Sequence, residues 1–350
     1  MPHTQHTLVR TAQVAALAAL TAGVVAPLTV SAAQAKELNL YSSRHYDTDE
    51  RLYSDFEKKT GIKINRIEDK ASALIKRIKA EGANSPADVL LTVDAGRLWA
   101  ADRDGLFQPM ESAVIDKAVP ANLRHPNGQW VGFTQRARVI FYSKSRVSEP
   151  PKTYEELADP KFKGKICTRS GSNIYMLSLL SSVIDRVGED GAKKWAAGLW
   201  ANRAREPQGG DTDQLRAVAS GECDIVIANT YYFARALRKQ VRDLSGKTDD
   251  IGIVFPNQDG VGTHVNISGG GIVKTAPNAE NAKLFLEYLV SESAQEYLAA
   301  GNDEYPVVEG IARSSSVQSL GEFKADSISL TKYGENQPTA QKIYDEVGYR

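Results

Sequence analysis

Three short segments place tyrosine where a strand-like run gives way to a polar turn: SSRHYDTDE, GSNIYML and ANTYYFAR. They supply His45, Tyr46, Tyr175, Tyr231 and Tyr232. With 14 tyrosines in the chain, some fall near strand ends by chance, and a tyrosine with one wet end is an ordinary packing residue; Tyr53, Tyr154, Tyr288 and Tyr297 are assigned to that class. The adjacent pair Tyr231 and Tyr232 differs, because neighbours in a strand point to opposite faces and both serve one site only where the backbone leaves the sheet. Burying several phenols without partners costs free energy for each hydroxyl, and a highly charged cation removes that cost. Phenolate is a hard, anionic oxygen ligand, and a trivalent ion lowers the phenol pKa as metals lower that of bound water. Softer ions prefer Cys or several His, and Ca2+ or Mg2+ prefer carboxylates, so iron(III) matches this donor set best. Arg44, Arg136, Arg138 and Arg235 lie in or near the same segments and can offset excess negative charge.

The elements that must position these residues alternate. LNLY reads as a strand, Asp49 to Lys59 as a helix with Leu52, Tyr53 and Phe56 on one face, closed by Gly61. IKINRI alternates as a strand, Ser72 to Ala80 is helical, and ADVLLTV is the continuous apolar run of a strand covered on both faces. Trp130 to Tyr142 reads as extended, and Pro150-Pro151 punctuates the chain. KGKICTR, CDIVIAN and IGIVFPN are further strand candidates, with helical patterns around Met176 to Val187, Gly191 to Leu199 and Asp213 to Ser220. A Gly-rich segment, DGVGTHVNISGGGIV, then leads to an amphipathic helix containing Ala282, Phe285 and Leu286. Repeated strand-helix-strand units imply α/β architecture, in which ligands gather beyond the carboxyl ends of strands.

The length of 350 residues favours two domains. A net charge of zero, from 43 basic and 43 acidic residues interspersed along the chain, gives no electrostatic reason for a nucleic-acid partner. Residues 1–35 read as a secretory leader: Arg10 without an acid, an apolar stretch from Val14 to Val30, and SAAQA ending at Ala35. No Cys lies near that site, so a soluble periplasmic protein without a membrane anchor is expected. Cys167 and Cys223, an even pair in an exported chain, suggest one disulfide; two buried free thiols are the alternative.

The segments LYSSRHY, PKTYEELADPKFKGKI, ANTYYFARAL and APNAENAKLFLEYLVSESAQEYLAAGNDEYPV resemble those of type 2 periplasmic substrate-binding proteins, specifically the ferric-iron-binding receptors of ABC transporters. The resemblance implies a two-lobe α/β fold, with two mixed sheets flanked by helices and joined by hinge crossover strands. Residues 36–130 and 260–310 would form lobe 1, and 131–259 and 311–350 lobe 2. It implies Tyr46 as the first-lobe ligand of Fe3+, and Tyr175, Tyr231 and Tyr232 as second-lobe ligands. His45 matches a position that is a ligand in some relatives and only lines the site in others. Arg136 and Arg235 match arginines that lie behind the ligands and balance their charge. The His-x-Glu pattern of anion-dependent relatives is missing near the first strand, so a carbonate co-ligand is not expected. The partner implied is an inner-membrane ABC permease, and a shuttling receptor is expected to be a monomer.

Two rival readings follow from the same residues. The fold can instead serve a small organic cation such as thiamine or a polyamine, whose pockets use aromatic faces and carboxylates. An exported enzyme finds no support, since the chain has no G-x-S-x-G, H-E-x-x-H or P-loop.

Overall fold

The computed structural model describes residues 36–44 and 46–350; the expected leader, residues 1–35, and His45 lie outside the described residues. The first half alternates as β1 (Glu37–Ser42), α1 (Asp49–Thr60), β2 (Lys63–Glu68), α2 (Ala71–Glu81), β3 (Val89–Val93), α3 (Ala95–Arg103) and α4 (Ala113–Ala118). The long strand β4 (Val131–Ser143) leads to β5 (Ile166–Cys167), α5 (Ile174–Ala201), α6 (Asp211–Ser220), β6 (Ile225–Asn229), α7 (Thr230–Arg238) and β7 (Ile251–Val254). The chain returns through β8 (Val265–Ile272), α8 (Ala279–Leu289), α9 (Glu292–Asn302) and β9 (Tyr305–Pro306), and ends with α10 (Ser315–Gln318) and α11 (Thr331–Glu346). Among the described residues no helix is long and apolar enough to cross a membrane.

The strands form one mixed sheet in the order β2-β1-β3-β8-β4-β6-β5, with β7 and β9 also paired to β4. β1 runs parallel to β2 and β3, β5 runs parallel to β6, and β8 runs antiparallel to both β3 and β4. Instead of two separate sheets there are two mixed halves that share β4. Its residues Val131 to Ala137 pair with β8, and Arg138 to Tyr142 pair with β6. The change of partner falls between Ala137 and Arg138, so Arg136 and Arg138, two apart on one strand face, straddle the switch point.

Apolar packing follows this division. Leu38, Leu40, Phe56, Leu90, Leu98, Trp130 and Phe285 belong to one core. Beyond the switch, β4 alternates: Ile140 packs with Leu179, Trp195 and Ile227, while Val139 and Phe141 pack on the other face with Leu215, Val226 and Phe233. A strand covered on both faces is apolar at consecutive positions for this reason. Helix α11 joins the first core to the second, with Tyr333 packed in one and Ile343 and Tyr344 in the other. Its Gly334 lies so near Trp99 of α3 that a Cβ would stand 2.1 Å from the indole Cγ.

One element differs from the expectation. The Gly-rich segment is the crossover strand β8, fully buried along its length. Cβ atoms at Gly269, Gly270 and Gly271 would lie 2.6, 2.9 and 2.3 Å from the carbonyl oxygens of Val131, Leu90 and Gln129, so only glycine lets three backbones approach this closely. The two helical patterns after Tyr175 are present as expected, as two helical stretches within α5 that meet at a kink where Gly188 leaves the helical conformation with φ 72°. Cys167 and Cys223 form a disulfide with their Cα atoms 5.9 Å apart, beside the parallel pair β5 and β6.

Candidate metal centre

Each candidate tyrosine sits just beyond a strand end or in the first turn of a helix. Tyr46 follows β1, and its carbonyl accepts the Asp49 N–H at 2.8 Å as α1 begins. Tyr175 is the second residue of α5, whose start is fixed by the Asn173 side chain accepting from the Tyr175 N–H at 3.1 Å. Tyr231 and Tyr232 open α7 directly after β6. There the Asp211 carboxylate accepts from the Asn229 N–H at 2.8 Å and from Arg138 Nη1 at 3.0 Å, which ties the helix start to β4. The partially positive first turns of α5 and α7 favour anionic side chains.

All four tyrosines line one cavity of about 360 Å³, together with Ser43, Lys70, Ala71, Val93, Arg97 and Arg235. The Tyr175 and Tyr231 hydroxyls are 3.4 Å apart, and the Tyr231 and Tyr232 ring centroids are 4.2 Å apart. Guanidinium groups surround the rings: Arg44 lies 4.9 Å from the Tyr46 centroid, Arg136 5.8 Å from Tyr231, Arg138 5.7 Å and Arg169 5.4 Å from Tyr175. Arg235 lies 5.7 Å from Tyr231 and 5.8 Å from Tyr232. The cavity lining contains three cationic side chains and no carboxylate among the described residues.

Burial dominates the acid-base state. Desolvation, reinforced by Glu304 and Tyr175, pushes the Tyr46 phenol up to about 12 despite Arg44 and Arg136. Desolvation and neighbouring tyrosines, Tyr175 first, hold Tyr231 and Tyr232 well above the usual phenol value. At neutral pH these three hydroxyls therefore keep their protons. Desolvation is the largest single influence on the buried arginines, but their neighbours together outweigh it and keep them charged, with Glu304 foremost beside Arg136, Asp49 and Glu304 beside Arg44, and Asp211 beside Arg138. Arg44 pairs with Asp49 at 2.9 Å and Arg138 with Asp211 at 3.0 Å, and Arg136 donates to Glu304. Arg235 takes part in none of the ion pairs among the described residues, and neither do Lys70 and Arg97, so three cations at the cavity have no carboxylate partner there.

The structure thus brings Tyr46, Tyr175, Tyr231, Tyr232 and Arg235 to one cavity and sets Arg136 behind it. His45 is outside the described residues. Sequence reasoning passed over Lys70, Arg97 and Arg169, and also the carboxylates Asp49, Asp211 and Glu304. Nothing local marks these acids as different from solvated ones, except that Glu304 lies within the NDEYPV motif.

Comparison with known proteins gives the chain its family. The chain is 53% identical over 326 residues to iron uptake protein A1 of Synechocystis sp. (strain ATCC 27184 / PCC 6803 / Kazusa), covering 93% of this chain and 91% of that protein. It is 26% identical over 334 residues to the major ferric iron-binding protein of Neisseria meningitidis serogroup B, covering 93% and 97%. The solved structure of Trichodesmium IdiA (FutA) in complex with iron and citrate superposes with a TM-score of 0.87 at 53% identity, covering 90% of this chain and 100% of that one. With residues 84–321 matching the family as well, the chain belongs to the bacterial extracellular solute-binding proteins, in their type 2 periplasmic fold.

Proposed function

We propose that this protein is a periplasmic receptor that captures Fe3+ through the phenolates of Tyr46, Tyr175, Tyr231 and Tyr232 and delivers it to an inner-membrane ABC permease. The observation that carries the reading is the convergence of four tyrosines from three separated segments on one cavity without a carboxylate. Hard divalent cations seek carboxylates, and an organic cation such as thiamine or a polyamine would meet Lys70, Arg97 and Arg235 with no opposing charge. A trivalent ion generates its own counter-charge by displacing phenolic protons. Four phenolates and Fe3+ leave one negative charge, which faces Arg235 beside Tyr231 and Tyr232 together with Lys70 and Arg97 in the cavity lining.

Residues 36–130 with 260–310 would form one lobe and 131–259 with 311–350 the other, with β4 and β8 as the crossover strands; the partner change of β4 supports this division. Tyr46 then comes from one lobe and the other three ligands from the second. Closure completes the coordination shell, so iron selects the closed state. Reduction to Fe2+ lowers the ion's charge and promotes release. The protein acts as a receptor and not as an enzyme, is exported by its leader, and works as a monomer.

The test is an ultraviolet-visible spectrum of the purified mature protein after ferric loading and desalting, with metal analysis. A phenolate-to-iron charge-transfer band and one iron per chain are expected, with the band weakened in Tyr231→Phe and Tyr232→Phe. A colourless loaded protein, or spectra unchanged in both variants, would sink the reading.

A further inference from the structure

A buried carboxylate behind the tyrosines has no part in the reading so far. Glu304 is 1% exposed and stands one residue before β9, which pairs with the crossover strand β4. It accepts hydrogen bonds from Arg136 Nη2, from Thr134 Oγ1 at 3.0 Å, and from Arg44 Nη1 and Ser268 Oγ at 3.4 Å each. Arg44 already has a counter-ion, because Asp49 binds it at two points, 2.9 and 3.0 Å. The charge left for Glu304 to cancel is that of Arg136. That guanidinium is 2% exposed, is held at Nη2 by Glu304 and Ser268, and its Nε and Nη1 have no hydrogen-bond partner among the described residues. Its Cζ lies 5.8 Å from the Tyr231 ring.

Resting on the ferric reading above, we infer that Glu304 is a positioning residue: it anchors Arg136 behind Tyr231 and cancels its charge, so that the site keeps its preference for Fe3+ over Fe2+. A buried ion pair is weak evidence for stability, since an apolar substitute of similar volume often serves as well. Its placement against the ligand shell gives it an electrostatic use instead. Without the carboxylate, Arg136 adds one uncancelled positive charge next to the bound ion and repels a trivalent ion more than a divalent one. At an effective dielectric constant near 20, one unit charge about 12 Å from the ion changes the Fe3+ to Fe2+ preference on the order of tenfold.

The experiment is spectroelectrochemical titration of the iron-loaded, full-length mature protein, following the charge-transfer band. Glu304→Gln is expected to raise the midpoint potential by about 59 mV, the equivalent of a tenfold loss of Fe3+ preference in a one-electron couple. Glu304→Asp, which keeps the charge, should stay within twofold of wild type. Arg136→Gln should lower the potential, and the double variant should recover at least half of either single shift. Should Glu304→Gln fail to fold, the step from Arg136→Gln to the double variant reads the same quantity. A potential within twofold of wild type in folded Glu304→Gln, or no step between Arg136→Gln and the double variant, overturns the inference while leaving the ferric site standing. A wild type that takes up no coloured iron overturns the site itself, and the role of Glu304 with it.

Discussion

If iron must displace the protons of Tyr46, Tyr231 and Tyr232, affinity depends steeply on pH. Tyr46 titrates near 12 and the other two well above the usual phenol value, so all three are protonated in the free protein across the neutral range. Each phenolate formed on binding releases one proton, and three such releases change the affinity for free Fe3+ by about a thousandfold per pH unit, or about 4 kcal/mol. The sign is fixed: raised phenol values in the free protein mean that acid weakens binding and base strengthens it. The assay is competition against a chelator of known proton stoichiometry between pH 5.5 and 8, with occupancy read from the charge-transfer band. A slope of at least three protons per iron is expected, and Tyr46→Phe should lower it by one. A wild-type slope below one would refute the mechanism, and an unchanged slope in Tyr46→Phe would remove Tyr46 from the shell.

The same raised phenols bear on the metal-free fold: an unfolded phenol ionises near 10, so stability present below that pH is lost as the pH climbs toward 12, and alkaline melting of metal-free protein should show a decline that iron loading delays. Replacing both Cys167 and Cys223 with Ser opens a 56-residue separation and should cost about 4 kcal/mol in denaturant unfolding, the chain-entropy value for such a loop. Gly334→Ala drives a methyl group against the Trp99 indole and should destabilise by about 1–3 kcal/mol, read by thermal melting. Asp94, whose carboxyl is raised by burial, accepts from Ser178 Oγ at 2.7 Å and from Gly96 N at 2.9 Å. Ser178→Ala should cost about 1–3 kcal/mol at pH 7, with a smaller deficit in acid, where the proton that this raised carboxyl binds more readily when folded restores stability.

The tyrosines were legible because their placement conflicts with packing: an adjacent Tyr231-Tyr232 pair at a strand end has no simple structural use. The first two helices were legible because each buries one face at helical spacing, as Leu52, Tyr53 and Phe56 do in α1, and β3 because it is a continuous apolar run buried at every position. Strand β8 was not, because the glycines that permit close backbone approach also erase its apolar pattern. The two helical stretches of α5 were legible because Gly188, whose φ of 72° is not helical, interrupts the apolar pattern where the chain kinks. Glu304 was hidden for a different reason. It lies 168 positions from Arg136 in sequence, and a buried counter-ion is identified by its partner, which only the fold supplies.

The choice of phenols over carboxylates has a physical rationale in the acid-base state of the cavity. Carboxylates are ionised at neutral pH, so a cavity lined with them would carry a standing negative charge and attract any hard divalent cation. Here the lining is cationic or neutral until a ligand arrives, because burial keeps the phenols protonated. Ionising Tyr46 alone from about 12 to neutrality costs about 7 kcal/mol. A cation occupies the site only if its bonds to the resulting phenolates exceed that cost several times over, and a charge of three does this far more readily than a charge of two. Desolvation, usually a penalty on a binding site, thus becomes the element that selects for charge. The paired arginines leave that selection intact, since Asp49, Asp211 and Glu304 cancel their charges, while Lys70, Arg97 and Arg235 in the lining face the excess negative charge of the proposed four-phenolate shell.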